Sequence, residues 1–294
     1  MMQKHDRSYS FGKKGRRLFV QEWGEPGLPV VLLVHGFPGC ADHGNLMSSS
    51  SYWKSFRLIA MDRPGYGKSD VQTDLTPMAF AEQIRTLLDK KEIQQFSILS
   101  VSGGAPYSMA LAYLMKERVL RMTSVAGVAP MTLRNFSYMN SRQKKTWAMR
   151  NFVPERVLRF GMNMVWKSSL EKFEQLVFTE METFNEHDRR VFADPVVGPF
   201  LTETMRQALR QGPCGILHDM RVYSKSWGFP INEIQCPVTL WHGSDDDVVH
   251  PRFASDMRDR LPKARLNLIS NEGHYSLPMN CRDAILGDLL GLEL

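Results

Sequence analysis

The stretch that most constrains this chain begins at Phe96 and runs through Ser97-Ile98-Leu99-Ser100-Val101-Ser102-Gly103-Gly104-Ala105-Pro106. The apolar run 96–101 reads as a short buried strand, and residues 107–116 carry apolar side chains at helical spacing. Gly103 and Gly104 permit a tight turn between the two. A serine at the apex of such a turn sits in a strained backbone conformation costing on the order of 1–3 kcal/mol. The residues two positions to either side must be small so that strand and helix can approach, and Ser100 and Gly104 are. This is the layout of a nucleophile elbow. A glycine-rich turn exposing an ordinary serine has the same pattern.

Strand-like and helix-like segments alternate around this turn. Residues 8–11 and 17–23 read as a hairpin closed by Lys13-Lys14-Gly15. Residues 30–35 form an unbroken aliphatic run ending in His35, the mark of a strand buried on both faces, and 56–61 repeat the pattern. Residues 76–91 have helical periodicity through Met78, Phe80, Ile84, Leu87 and Leu88, with Thr76 as N-cap and Pro77 in the first turn. Residues 119–125 add a strand. This rhythm predicts an α/β protein with a doubly wound, mostly parallel sheet. It breaks between Pro130 and Phe229, where Met- and aromatic-rich helical stretches stand at 142–151, 155–166, 171–178 and 202–211. Strand periodicity resumes at 237–241, with a helix at 252–261, a strand at 265–269 and a last helix at 282–290. The expected division is a core of residues 1–129 and 230–294, with residues 130–229 inserted as a helical cap.

Composition narrows the function. The net charge of +6 is spread thinly, and its densest run, Lys13 to Arg17, falls in the hairpin turn, which argues against a nucleic-acid partner. The N-terminus lacks the apolar core of a signal peptide, and no segment is long and apolar enough to span a bilayer. Cys40, Cys214, Cys236 and Cys281 are scattered without metal-ligand spacing, so free thiols are expected. A soluble cytoplasmic protein is the expectation; nothing in the composition sets its oligomeric state.

Three further pieces converge on one site. His35-Gly36-Phe37-Pro38-Gly39 follows the first buried strand, and open α/β sheets bind ligands at the carboxyl ends of strands. The backbone N–H groups of Phe37 and Gly103 could together hold a developing oxyanion; His35 itself reads as structural. A serine hydroxyl needs a histidine to take its proton, and that histidine needs a carboxylate to fix its tautomer. Asp245, Asp246 and Asp247 end another strand, and Asp246 is the first choice for that acid, ahead of Asp245 and then Asp247. His274, on the short loop Asn271-Glu272-Gly273-His274-Tyr275, follows the last strand. Serine, then aspartate, then histidine is the chain order of an α/β-hydrolase triad.

Five motifs carry a resemblance that covers nearly the whole chain: H-G-F-P-G at 35–39, D-R-P-G-Y-G-K-S at 62–69, S-V-S-G-G at 100–104, H-G-S-D-D-D at 242–247 and E-G-H at 272–274. In this order they resemble the α/β-hydrolase fold proteins with a serine nucleophile. The resemblance implies Ser102 as nucleophile, Asp246 as acid, His274 as base, Phe37 and Gly103 as oxyanion donors, a helical cap, and no metal or organic cofactor. Ser100 departs from the usual glycine and places a second hydroxyl nearby. Serine rather than aspartate at 102 argues against the epoxide hydrolase and haloalkane dehalogenase branches. Asp62 and Arg63 read as a turn-closing pair. Cys40 is expected as a small apolar wall residue. Cap residues Met131, Phe136, Met139, Trp147, Phe152, Phe160, Met162, Met164, Trp166 and Phe173 are expected to divide between the cap's own packing and an apolar acyl pocket, with Met131, Phe136 and Trp147 assigned to the pocket. An ester of short to medium acyl chain is the expected substrate. Lactone, amide or carbon–carbon bond cleavage, cofactor-free oxygenase or perhydrolase chemistry, and ligand binding without catalysis are the alternatives.

Overall fold

Side chains alternate across a strand, and here the alternation sorts the apolar residues into two cores. Leu32, Val34, Ile59, Met61 and Ile98 enter one cluster, while Val31, Leu33, Leu58, Ala60 and Leu99 enter another. The computed structural model describes residues 5–72, 74–169, 179 and 181–292. Among these residues the strands are β1 (Arg7–Phe11), β2 (Leu18–Trp23), β3 (Val30–Val34), β4 (Arg57–Met61), β5 (Phe96–Val101), β6 (Val119–Val125), β7 (Val238–Gly243) and β8 (Ala264–Ile269). They form one eight-stranded sheet in the order β1-β2-β4-β3-β5-β6-β7-β8. The β1–β2 and β2–β4 pairs are antiparallel, and every pairing from β4 to β8 is parallel. This is a doubly wound, mostly parallel α/β sheet, as the sequence pattern predicts. The chain places β4 on one side of β3 and β5 on the other, so the loops leaving β3 and β5 meet where the winding reverses, the place such sheets bind ligands.

Helices α1 (Pro77–Lys90) and α2 (Ala105–Leu114) cover the first face; the 3-10 turns at Ala41–Ser49 lie against the second. Thr76 caps α1, its hydroxyl accepting from the Ala79 N–H at 3.1 Å. Between β6 and β7 the chain builds α3 (Leu133–Tyr138), α4 (Ser141–Phe152), α5 (Glu155–Ser169), α6 (Glu186–Ala193), α7 (Val197–Ala208) and α8 (Cys214–Tyr223). After β7 come α9 (Arg252–Arg260), α10 (Ser276–Asn280) and α11 (Arg282–Leu290). No helix among the described residues is long and apolar enough to cross a membrane, and the four cysteines are unpaired.

The strands fall where the sequence pattern puts them; the helices between β6 and β7 differ in detail. Helix α7 starts at Val197 rather than 202 because Pro199 lies in its first turn, where the missing N–H breaks no intrahelical bond. Helices α3, α6 and α8 are absent from the sequence expectation. In α6 only Val191 and Phe192 are buried apolar residues, too few for a periodic signal, and the Asn185 cap fixes its start. The expected helix 171–178, with Phe173, lies outside the described residues.

Candidate active site

Strand β5 delivers Ser102 to the sheet's carboxyl edge in the left-handed region, at φ 50°. A non-glycine residue held there stores strain. Two glycines make room for the turn. A Cβ on Gly104 would lie 2.5 Å from the Val34 carbonyl oxygen, so only a bare backbone lets α2 approach β3 this closely; one on Gly36 would lie 3.2 Å from the Ser102 Cβ. Ser100 is fully buried, and its hydroxyl has no hydrogen-bond partner among the described residues.

The Ser102 Oγ lies 2.9 Å from His274 Nε2, and His274 Nδ1 lies 2.8 Å from Asp246 Oδ2. Serine, imidazole and carboxylate thus form one hydrogen-bonded chain, all three side chains buried. Of the three consecutive acids, Asp246 points inward; Asp245 and Asp247 are exposed. Asp246 Oδ1 accepts the Val248 and Val249 N–H groups at 2.9 and 2.8 Å. The fully buried His242 holds its Nε2 2.8 Å from the Val249 carbonyl and 3.1 Å from Asp246 Oδ2. Burial opposes the Asp246 charge, but His274 and His242 outweigh it and hold the carboxyl well below the usual carboxylate range. Burial likewise opposes charging of His274. The facing Asp246 carboxylate overrides it, and the imidazole is raised above its ordinary value.

A second buried network underlies the 35–39 loop. Arg63 Nη1 donates to Asp219 Oδ1 at 2.6 Å, and its Nη2 donates to the Gly36 carbonyl at 2.9 Å. Tyr107 and Tyr66 donate to the same carboxylate at 2.6 and 2.7 Å. Tyr223 Oη donates to the Gly103 carbonyl at 2.9 Å, and its ring stands edge-on to Phe37. The Gly36 carbonyl and the Phe37 N–H belong to one planar peptide unit, so the Arg63 bond sets the direction of the Phe37 N–H. His35 lies in this network as well: its Nε2 accepts the Arg63 N–H at 2.9 Å, its Nδ1 is 2.8 Å from the Gly36 carbonyl, and burial keeps the ring well below its ordinary pKa. The expected Asp62–Arg63 pair does not form. Asp62 instead accepts the Ala41 and Lys68 N–H groups, each at 2.7 Å, and closes its own turn, while Arg63 turns to Asp219.

The residues expected around the acyl pocket are less concentrated. Cys40 is buried in the second core with its thiol 3.5 Å from the Thr204 carbonyl, and burial pushes that thiol well up. Phe136 and Trp147 meet edge-on with ring centroids 4.9 Å apart, a contact between α3 and α4. Met131 is half-buried between β6 and α3, while Phe152, Phe160 and Met164 are exposed. Asp188 and Asp219 carry no sequence signal that marks them for the site, and His242 opens the 242–247 motif without a role of its own that the sequence assigns it. The Asn185 cap hints at Asp188 in a helical first turn, but nothing local shows where its carboxylate goes. No group of three or more His, Cys, Asp or Glu among the described residues is placed to hold a metal ion.

Residues 29–279 match the family model described as alpha/beta hydrolase fold. The bifunctional esterase/perhydrolase DCH of Acinetobacter calcoaceticus is 23% identical, with 96% of this chain and 98% of that protein covered. The probable lysophospholipase BODYGUARD 3 of Arabidopsis thaliana is 22% identical over 95% of this chain, which spans only 59% of it. Among solved structures, an alpha/beta hydrolase fold protein from Nakamurella multipartita superposes with a TM-score of 0.67 at 22% identity, covering 97% of this chain and 99% of that one.

Proposed function

The chain belongs to the alpha/beta hydrolase fold family, and on that premise we propose that it is a serine hydrolase cleaving carboxylic esters of short to medium acyl chain. The observation that carries this reading is the unbroken chain from the Ser102 hydroxyl through His274 to Asp246, with contacts of 2.9 and 2.8 Å. Ser102 attacks the acyl carbonyl while His274 Nε2 takes its proton and Asp246 steadies the imidazolium. The N–H groups of Phe37 and Gly103 receive the oxyanion. His274 then protonates the departing alcohol, and a water activated by the same imidazole releases the acid and restores Ser102. Residues 130–229 act as the cap, and the acyl group lies between it and the strand ends. The esterase/perhydrolase relative favours a second reading, in which hydrogen peroxide replaces water in the last step and a peracid leaves.

A fluorophosphonate probe should label the protein at Ser102, mapped by peptide sequencing. Ser102→Ala should abolish labelling and lower p-nitrophenyl butyrate turnover by several orders of magnitude without loss of the fold. Retained turnover in a folded Ser102→Ala protein would refute the assignment. Butyrate should be cleaved faster than palmitate; the reverse order would indicate a long acyl tunnel. Peracid formation from an ester and hydrogen peroxide decides the second reading.

A further inference from the structure

The loop that carries His274 is held by a residue distant from it in sequence. Asp188, on α6, is fully buried. Its Oδ2 accepts the His274 N–H, and its Oδ1 accepts the N–H groups of Tyr275 and Ser276, each at 2.8 Å. Asn185 fixes the carboxylate from behind: Nδ2 lies 3.2 Å from Asp188 Oδ2 and 2.9 Å from the Asp245 carbonyl, and Oδ1 accepts the Asp188 N–H. The fit has no slack. A Cβ on Gly273 would lie 2.5 Å from Asp188 Oδ1 and 2.5 Å from Asn185 Nδ2.

We propose that Asp188 is a positioning residue for the base: its carboxylate holds the His274 backbone so that the imidazole spans Ser102 and Asp246. The helical segment between β6 and β7 is therefore part of the machinery and more than a cover over it. This inference rests on the hydrolase reading above.

The charged and titratable groups facing the imidazole are few. Asp246 meets Nδ1 from the loop after β7, backed by His242, and Asp247 stands on the same loop. Ser102 meets Nε2 from the elbow, Asp188 approaches from α6, and the Tyr275 ring stands edge-on to the imidazole at 5.3 Å. Burial is the largest influence on His274 and opposes its charge; Asp246, then Asp188 and Asp247, act the other way. Asp188 therefore both fixes the ring's backbone and favours the imidazolium formed when Ser102 attacks.

Asp188→Asn keeps the side-chain shape but has one oxygen to offer. If that oxygen stays on Tyr275 and Ser276, an NH₂ group faces the His274 N–H. Because displacement of a catalytic group by about 1 Å can cost about 10²-fold, kcat for p-nitrophenyl butyrate should fall tenfold to a hundredfold, with KM within twofold. The acidic limb of kcat/KM should shift to lower pH, since a negative charge near the imidazole is gone. Gly273→Ala perturbs the contact from the loop side without changing any charge, and should lower kcat with no such pH shift. A folded Asp188→Asn protein with wild-type kcat and an unmoved acidic limb overturns the proposal. If Asp188→Asn does not fold, wild-type kcat in Gly273→Ala overturns it; failure of both variants to fold also does, by reducing Asp188 to an anchor of the fold. Absence of fluorophosphonate labelling in the wild type instead defeats the hydrolase reading, so the two failures are distinguishable.

Discussion

The Arg63–Asp219 pair lets stability and catalysis be separated. Both side chains are at most 1% exposed. Asp219→Asn leaves the guanidinium buried without a counter-charge, and breaking such a pair from one side costs about 3–5 kcal/mol. That is a large share of a typical total of about 5–15 kcal/mol. At about 2–4 °C per kcal/mol, the melting temperature should fall on the order of 10 °C. The double variant Arg63→Met/Asp219→Asn removes both charges. The amide oxygen introduced at position 219 can still accept from Tyr107, and the amide NH₂ can donate to Tyr66, so most of the lost stability should return. Catalysis should not return with it, because the Gly36 carbonyl has lost the 2.9 Å bond from Arg63 that directs the Phe37 N–H. Complete loss of one oxyanion donor costs about 2.7–4 kcal/mol, or about 10²–10³ in kcat; a loosened donor should fall near the lower end. Calorimetry with steady-state hydrolysis of p-nitrophenyl butyrate reads both quantities. A double variant with restored melting temperature and wild-type kcat would show that the Gly36–Phe37 peptide needs no such support, and would overturn this account of the loop.

Other outcomes follow from single contacts. The base works when neutral and its imidazole is raised, so the acidic limb of kcat/KM should have its midpoint above 6.5, as a pH profile with a neutral substrate will show. Gly104→Ala forces a Cβ against the Val34 and His35 carbonyls; it should destabilise by about 1–3 kcal/mol in denaturant unfolding and slow fluorophosphonate labelling. Buried Glu22 opposes its own desolvation through Lys91, Tyr9 and Arg57, which hold it down at about 2. Its contribution is therefore present above pH 4.5 and lost as pH falls toward 2. Glu22→Gln should cost about 1.5–3 kcal/mol at pH 7 and show less acid-induced loss of stability over that window, measured by urea titration at several pH values.

How much is readable in advance depends on the range of the physics involved. The strand at 96–101, the turn at 102–104 and the Thr76 cap rest on interactions within a few residues, and they stand where local pattern puts them. The choice of Asp246 over its neighbours comes from its offset from Gly243, and the inward turn of that one side chain follows from its bonds to Val248 and Val249, again local. Local composition says least about Cys40 and the Phe136–Trp147 pair, whose contacts are with Thr204 and with each other: an apolar side chain looks the same in sequence whether it faces substrate or another helix.

The order of residues is enough to set the alternation of strands and helices, the sharp turn bearing Ser102 and the loops bearing Phe37, Asp246 and His274, because backbone sterics, periodic burial and glycine's missing Cβ act locally. It took the folded chain to bring Asp188 onto the His274 loop, and Asp219 with Arg63 beneath the Phe37 peptide. Those partners lie 86 and 156 positions apart. A buried carboxylate takes whatever donors packing brings to it, and a pairing made at that distance leaves no periodic trace in either segment.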